Sequence, residues 1–297
     1  MNEIPDPYLI QYPQIVAVTD EGGSRIELIE FFECTGGAMW TQVHYAKSPL
    51  VSSVRQVGAT TRYILHPGKA DLGLEGSRFP AGISGAEVTE NEIAITYVGL
   101  GGGGVGAAGC RANAGGVIRC VCDPSGGGRK AGATIWLPRR SRVLIGVDDT
   151  DTPEEGATWT LVHNIAKAVE DHASRYLSHT IVQLFPVAYR TKNCVSLVCE
   201  FASSDPLTLT ERFRQLLERY TLSDKTGMAV YTGFDPSALL GFGHQVKCGE
   251  VQRDILTGIR DRQLRIVMNG RGIIGAVAAI PFYTRYEEAL RLCDGKS

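Results

Sequence analysis

Asp148, Asp149 and Asp151 place three carboxylates within four positions, directly after the run Val143-Leu144-Ile145-Gly146-Val147. Acidic side chains this close repel one another unless something positive sits among them. A magnesium ion carrying nucleotide phosphates meets that need, because Mg²⁺ takes one or two protein carboxylates and leaves other positions for phosphate oxygens. Asp148, Asp149 and Asp151 are therefore candidate ligands for Mg²⁺–ATP, with Asp149 and Asp151 also candidates for a direct part in catalysis. The competing reading is a carboxylate-rich turn that caps a helix.

Such a turn needs elements to hold it. The apolar run before it reads as a buried strand delivering its acids to the open end of a sheet. After Thr152-Pro153-Glu154-Glu155-Gly156, a helix opens near Thr158. Trp159, Val162, Ile165, Ala166, Val169, Ala173 and Tyr176 recur at intervals of three and four, an amphipathic stripe. The order strand, acidic turn, helix start points free N–H groups toward any phosphate held by the acids. Further along, 180–188 and 195–201 read as strands, 209–220 as a helix, 228–231 as a short strand and 245–259 as helical. Residues 264–268 read as a strand, 276–279 form a small-residue run, and 286–293 read as a closing helix. Strands alternating with helices over 143–297 indicate α/β.

Phosphoryl transfer is catalysed mainly by positioning and charge stabilisation, so cations are the next residues to place. Arg190 and Lys192 lie in the polar turn Tyr189-Arg190-Thr191-Lys192-Asn193. Lys225 and Arg271 follow. Each is a candidate for the triphosphate, Lys192 also for catalysis, and for each a solvated surface charge is the bland alternative. Gly270, Gly272 and Gly275 would let the backbone approach a phosphate or base; a tight turn with close helix packing competes. His244 is a candidate general base, with an ordinary loop histidine as the alternative.

The first part of the chain is richer in strands. Ile15–Thr19 and Arg25–Phe32 read as a hairpin around Asp20-Glu21-Gly22-Gly23. Met39–Tyr45 alternates as a third strand, Pro49–Val57 has helical spacing, and Arg62–Leu65 and Glu92–Val98 read as strands separated by turn-rich sequence. Gly99, Gly101 and Gly104 fit GxGxxG, but a glycine-rich stretch supplies such triplets freely, and a flexible loop is the better reading. A second glycine cluster covers Ser125–Lys130. Cys110, Cys120 and Cys122, with Cys34 as a fourth, are candidate ligands of a metal or iron–sulfur site, but their spacing matches no zinc pattern and small buried thiols are the better reading. Pro138-Arg139-Arg140-Ser141-Arg142 interrupts the pattern as a solvated linker or a phosphate or partner contact, and the domain boundary belongs there.

The chain has 297 residues, with 35 glycines, eight cysteines and a formal net charge of −2. That length suits two domains. The near-neutral charge speaks against nucleic-acid binding through a global basic field, leaving room for a local patch. No window approaches the roughly 20 apolar residues that span a bilayer, and the N-terminus has no signal-peptide pattern, so a cytoplasmic protein without a membrane partner is expected. Scattered cysteines in such a chain are expected to be thiols.

Two resemblances bear on function. Asp149-Thr150-Asp151-Thr152 satisfies the DxDxT opening of haloacid-dehalogenase-type phosphatases, which implies a nucleophilic first Asp and an acid second; the later lysine and second acidic pair of that pattern have no obvious counterpart here. A longer resemblance is to the kinase-like domain of the archaeal isoleucine-tRNA agmatinylcytidine synthetase. Gly146–Pro153 with Thr158 is similar to its opening, Tyr189–Asn193 to its Tyr-Lys-Thr-Arg-Gly-Asn turn, Lys225-Thr226 to its Lys-Thr segment, and Gly270–Ala276 to its Gly-Arg-Gly-Leu-Ile-Gly-Ala. That enzyme uses ATP to activate a cytidine, and the position of Thr158 corresponds to a threonine phosphorylated there. The resemblance implies ATP and magnesium as cofactors and a phosphoryl relay role for Thr158. It leaves the acceptor open, since the enzyme's tRNA-holding modules have no counterpart in the remaining sequence. The overall layout resembles methanogenesis marker protein 11, which implies a link to cofactor or enzyme maturation in methanogenic archaea and admits a protein partner there. The expected architecture is a mixed α/β protein of two domains: a glycine-rich N-terminal α+β domain over 1–140 and a C-terminal α/β kinase-like, ATP-binding domain over 143–297.

Overall fold

The computed structural model describes residues 4, 6–124, 128–191 and 193–293. The chain divides into two compact units, Met1–Arg140 and Ser141–Ser297.

The first unit has two antiparallel sheets. One runs β1 (Gln14–Thr19), β2 (Ile26–Phe31), β4 (Thr60–Leu65), β3 (Val51–Val57). The other runs β5 (Gly68–Lys69), β6 (Ala81–Val88), β7 (Glu92–Leu100), β9 (Lys130–Pro138), β8 (Arg119–Asp123). Ile15, Leu28 and Tyr63 from one sheet and Ile83, Ile95 and Ile135 from the other meet in one core. Within it the Arg111 guanidinium pairs with both oxygens of Glu30, at 2.8 Å each, and the Tyr97 hydroxyl donates to Glu30 at 3.0 Å.

Two expected elements exchange their types here. Residues 39–45 belong to helix α1 (Thr35–Tyr45), whose buried Ala38, Thr41 and Tyr45 share one helical face. Residues 51–57 form the strand β3, because ladder bonds to β4 outweigh a helical spacing that buries little. The glycine run is a helix rather than a loop: α2 (Gly101–Val105) continues into a wider turn at Gly106–Cys110. A side chain at Gly104 would lie 3.1 Å from the Ala131 Cβ, so its absence admits the helix against β9.

The second unit is built on a five-stranded antiparallel sheet, β11 (Ser174–Gln183), β12 (Val195–Ser203), β10 (Ser141–Asp148), β13 (Gly227–Thr232), β14 (Leu264–Asn269). The mixed α/β class holds. Val143, Ile145 and Val147 of β10 face α3 (Thr158–Val169) and α4 (Pro206–Tyr220). Leu144 faces the opposite layer, α5 (Leu240–Cys248) and α6 (Ile273–Ala279). Burial on both faces explains the unbroken apolar run, each such side chain contributing about 1.5–3 kcal/mol. The remaining sequence readings are trimmed. The α3 stripe ends at Val169, Trp159 is exposed, and Tyr176 lies on β11. The expected helix over 245–259 is α5 followed by a separate short 3-10 helix at Arg253–Gly258.

Two cysteine and arginine readings are corrected. Cys248 and Cys293 form a disulfide, joining the end of α5 to the segment after α7 (Tyr286–Leu290). Arg140 and Arg142 are buried rather than solvated, and Arg142 pairs with buried Glu200 at 3.1 Å. Among the described residues no helix is long and apolar enough to cross a membrane.

Candidate functional site

Alternation along β10 places Asp148 on the same face as Leu144 and Gly146, the face covered by α6. Two missing side chains let that helix settle onto the strand. A Cβ at Gly146 would sit 1.9 Å from the Ala276 carbonyl oxygen, and one at Gly275 would sit 1.8 Å from Asp148 Oδ2. The Asp148 carboxylate thus lies against bare helix backbone. Gly270 and Gly272 donate their N–H groups to the carbonyls of Thr226 and Lys225, at 3.1 and 2.9 Å. Close packing accounts for these glycines, and Gly272 and Gly275 also border the cleft described below.

The acidic turn is bound on all sides by hydroxyls. Asp149 adopts φ +56°, a left-handed conformation that few non-glycine residues accept, Asp and Asn being among the tolerant ones. Its N–H donates to Asp148 Oδ1 at 2.8 Å, and its carbonyl accepts from Thr226 Oγ1 at 3.1 Å. The Thr150 carbonyl accepts from Leu222 N at 2.9 Å and Thr221 Oγ1 at 3.3 Å. Thr158, at the first position of α3, is buried. Its Oγ1 accepts from Thr150 Oγ1 at 3.0 Å and Thr150 N at 3.3 Å, and donates to Asp151 Oδ1 at 3.4 Å. Thr191 Oγ1 reaches the same Asp151 oxygen at 3.3 Å. In this conformation Thr158 ties the turn to the helix and steers Asp151; it is not the helix N-cap, a place taken by Ala157.

The electrostatics of the turn suit a cationic ligand. Burial, then the neighbouring Asp149 and Asp151, push Asp148 well above the usual carboxylate range. Burial and Asp151 raise Asp149, with Arg271 and Lys225 opposing. Among the described residues no three His, Cys, Asp or Glu side chains converge as a complete metal-binding group. The donor set suits a hard ion that draws its other ligands from phosphate and water.

Asp148 and Asp149 open onto a cleft of about 240 Å³. Arg190 and Arg271 border it, and the Arg271 guanidinium lies 3.4 Å from the Tyr189 ring centroid. Arg190 donates to the Val187 carbonyl at 2.9 Å. Lys225 is exposed and close enough to influence Asp149. Lys192 lies outside the described residues. His244 is elsewhere, paired with Glu288 at 3.0 Å. The sequence reading missed a further stretch of the lining, Gly249–Arg253, whose charged Glu250 and Arg253 lay in a segment read as helix. It also missed Cys194, whose thiol is pushed up by burial and by Asp148 and Asp149; its position beside the Tyr189–Asn193 turn was the available clue.

A family model for the TiaS TCKD domain matches residues 144–269. The uncharacterized protein MJ0921 of Methanocaldococcus jannaschii is 37% identical over 298 residues, covering 96% of this chain and 98% of the relative. The chain belongs to the MJ0921 family. Its C-terminal half also resembles solved TiaS structures. A complex of TiaS with tRNA and ATP matches at 23% identity and a TM-score of 0.43, covering 48% of this chain and 36% of that one. Apo TiaS, a tRNA agmatidine synthetase, matches at 22% identity and a TM-score of 0.40, covering 47% and 35%. The chain therefore spans about a third of the TiaS chains it matches. The resemblance read from the sequence to the agmatinylcytidine synthetase is borne out by the family model over residues 144–269.

Proposed function

We propose that this protein is an ATP-dependent transferase whose C-terminal unit holds the triphosphate and a magnesium ion at the Asp148–Asp151 turn and activates an acceptor. The observation that carries the reading is the pair Asp148 and Asp149, raised by burial and by repulsion from neighbouring aspartates at the edge of an arginine-bordered cleft. Carboxylates kept at that cost fit a cationic ligand.

In this reading Asp148 and Asp149 hold the magnesium, and Asp151, set by Thr158 and Thr191, acts through water or on the acceptor. The bound ion supplies charge neutralisation on the phosphate oxygens. Arg271, stacked on Tyr189, and Arg190 face the triphosphate, with Lys225 and Lys192 as further cations. Leu184, Phe185 and Val246 give the cleft an apolar flank suited to a base. Thr158 serves as a relay only if the turn opens, since its hydroxyl is engaged with Thr150 and Asp151.

For the acceptor, an RNA nucleotide is favoured by the TiaS TCKD match; the TiaS structures include complexes with tRNA and ATP, and with tRNA, AMPCPP and agmatine. A cofactor or enzyme undergoing maturation in methanogenesis is the alternative, in keeping with the layout resemblance, and would bring a protein partner. The test is mass spectrometry of nucleotide and protein after incubation with Mg²⁺ and ATP, with and without archaeal tRNA. Asp149→Asn keeps the left-handed backbone accessible and is expected to lower ATP turnover by about 10²–10³-fold. Absence of both binding and turnover in the parent protein would overturn the reading. Turnover stimulated by tRNA selects the RNA acceptor.

A further inference from the structure

The N-terminal unit holds a cavity that this chemistry does not use. It measures about 400 Å³, within the size range of small-molecule sites. Tyr8, Tyr12, Trp40 and Tyr45 supply aromatic walls, and Cys34 and Cys110 supply thiols. One side is a strap, Tyr8–Pro13, fastened across the turn below it. Ile10 N donates to Cys110 Sγ at 3.4 Å, Gln11 Nε2 to the Asn113 carbonyl at 3.2 Å, and Gly115 N to the Tyr12 carbonyl at 3.4 Å.

The charge pattern narrows the occupant. Arg111 is the one cation bordering the cavity among the described residues, and its charge is neutralised by the two-point pairing with Glu30. An anion would find no free cationic side chain among the described lining residues. The same guanidinium already lies over the rings of Tyr12 and Tyr45, at 4.7 and 4.8 Å from their centroids. Those ring faces are already taken by a guanidinium and are not open to a second cation. Exposed Glu33 adds a carboxylate to the lining, a further bar to an anion, and what remains is aromatic surface with the hydroxyl of wholly buried Tyr45. Burial raises the pKa of that hydroxyl, so it remains a donor. Flat rings stack on such walls, and a polar edge would satisfy the phenol.

We propose that this cavity binds an uncharged, planar aromatic molecule, stacked against Trp40 and hydrogen-bonded at its edge by Tyr45.

The probe pair is 1-naphthol and 1-naphthyl phosphate, matched in ring and opposed in charge. The full-length protein is alkylated with iodoacetamide, and each cysteine is followed by mass spectrometry. Cys120 and Cys122, exposed on β8 and away from the cavity, serve as internal controls. 1-Naphthol is expected to slow alkylation of Cys34 at least 10-fold while leaving Cys120 and Cys122 unchanged. 1-Naphthyl phosphate at equal concentration leaves all three unchanged. Trp40→Leu and Tyr45→Phe, each checked for retained circular dichroism, are expected to raise the 1-naphthol concentration needed for protection by about 10-fold and 5-fold. Unprotected Cys34 in the parent protein, equal protection of all three cysteines, equal protection by both probes, or folded variants with unchanged protection would each overturn the proposal.

Discussion

Two acidic sites in this molecule are handled in opposite ways. Glu30, in the core of the N-terminal unit, receives two bonds from Arg111 and one from the Tyr97 hydroxyl. Asp148, at the end of β10, meets helix backbone and two further aspartates. Both are held by well-packed elements. A carboxylate whose charge is met within the fold is part of the architecture, whereas one left to repel its neighbours beside a cleft is kept for something that arrives later. The same contrast separates Glu200, paired with Arg142, from Asp149.

The contrast is sharpest at Glu30. Glu30→Gln leaves Arg111 charged and buried without its anion, and breaking such a pair typically costs about 3–5 kcal/mol. The expected outcome is a large fall in thermal stability, with any ATP turnover per folded molecule unchanged. Melting curves alongside activity check it, and an unchanged melting temperature would erase the distinction.

Asp148 should respond in the other direction. Its folded pKa lies above the ordinary 3.8, so between those values the native state binds more protons than the unfolded chain. Stability contributed by this group is therefore complete below about pH 4 and falls as pH rises toward the folded pKa. Asp148→Asn keeps an oxygen for the Asp149 N–H and removes that loss. Without nucleotide and with EDTA, the variant is expected to melt about 2–4 °C above the parent at pH 8 for each ~1 kcal/mol recovered, and to match it near pH 3.5. A variant less stable at both pH values would show that Asp148 is structural after all.

The smallest effect is expected at Thr158. Thr158→Ser retains the hydroxyl and should be nearly silent. Thr158→Val strands the Thr150 donors and costs about 1 kcal/mol, together with a loss of activity through a misdirected Asp151. If phosphorylation of Thr158 were the function instead, Ser would substitute in the reaction and phosphate would be recovered on residue 158 by mass spectrometry.

These contrasts also mark what the sequence could reveal. The strand β10 was legible because a central strand covered on both faces must be apolar throughout, and the acids stand out where it ends. The hairpin β1–β2 announced itself through its turn. By contrast, α1 and β3 were exchanged because each exposes much of one face, so side-chain periodicity carries little of the decision and ladder partners carry most. The pairing of Arg142 with Glu200, 58 positions away, could not be anticipated locally, so a structural arginine read as a linker. The Cys248–Cys293 bridge and the Gly249–Arg253 wall are likewise products of tertiary proximity.

Gly275 carries a consequence for anyone engineering this family. Helix-strengthening programmes replace glycine with alanine and usually gain about 1 kcal/mol for each exchange. Here a single added methyl group would compete for the space of an Asp148 oxygen. A library selected for heat resistance would shun this position or turn the aspartate out of the cleft, so tolerance to alanine at residue 275 becomes an inexpensive genetic reporter of whether the acidic turn is still intact.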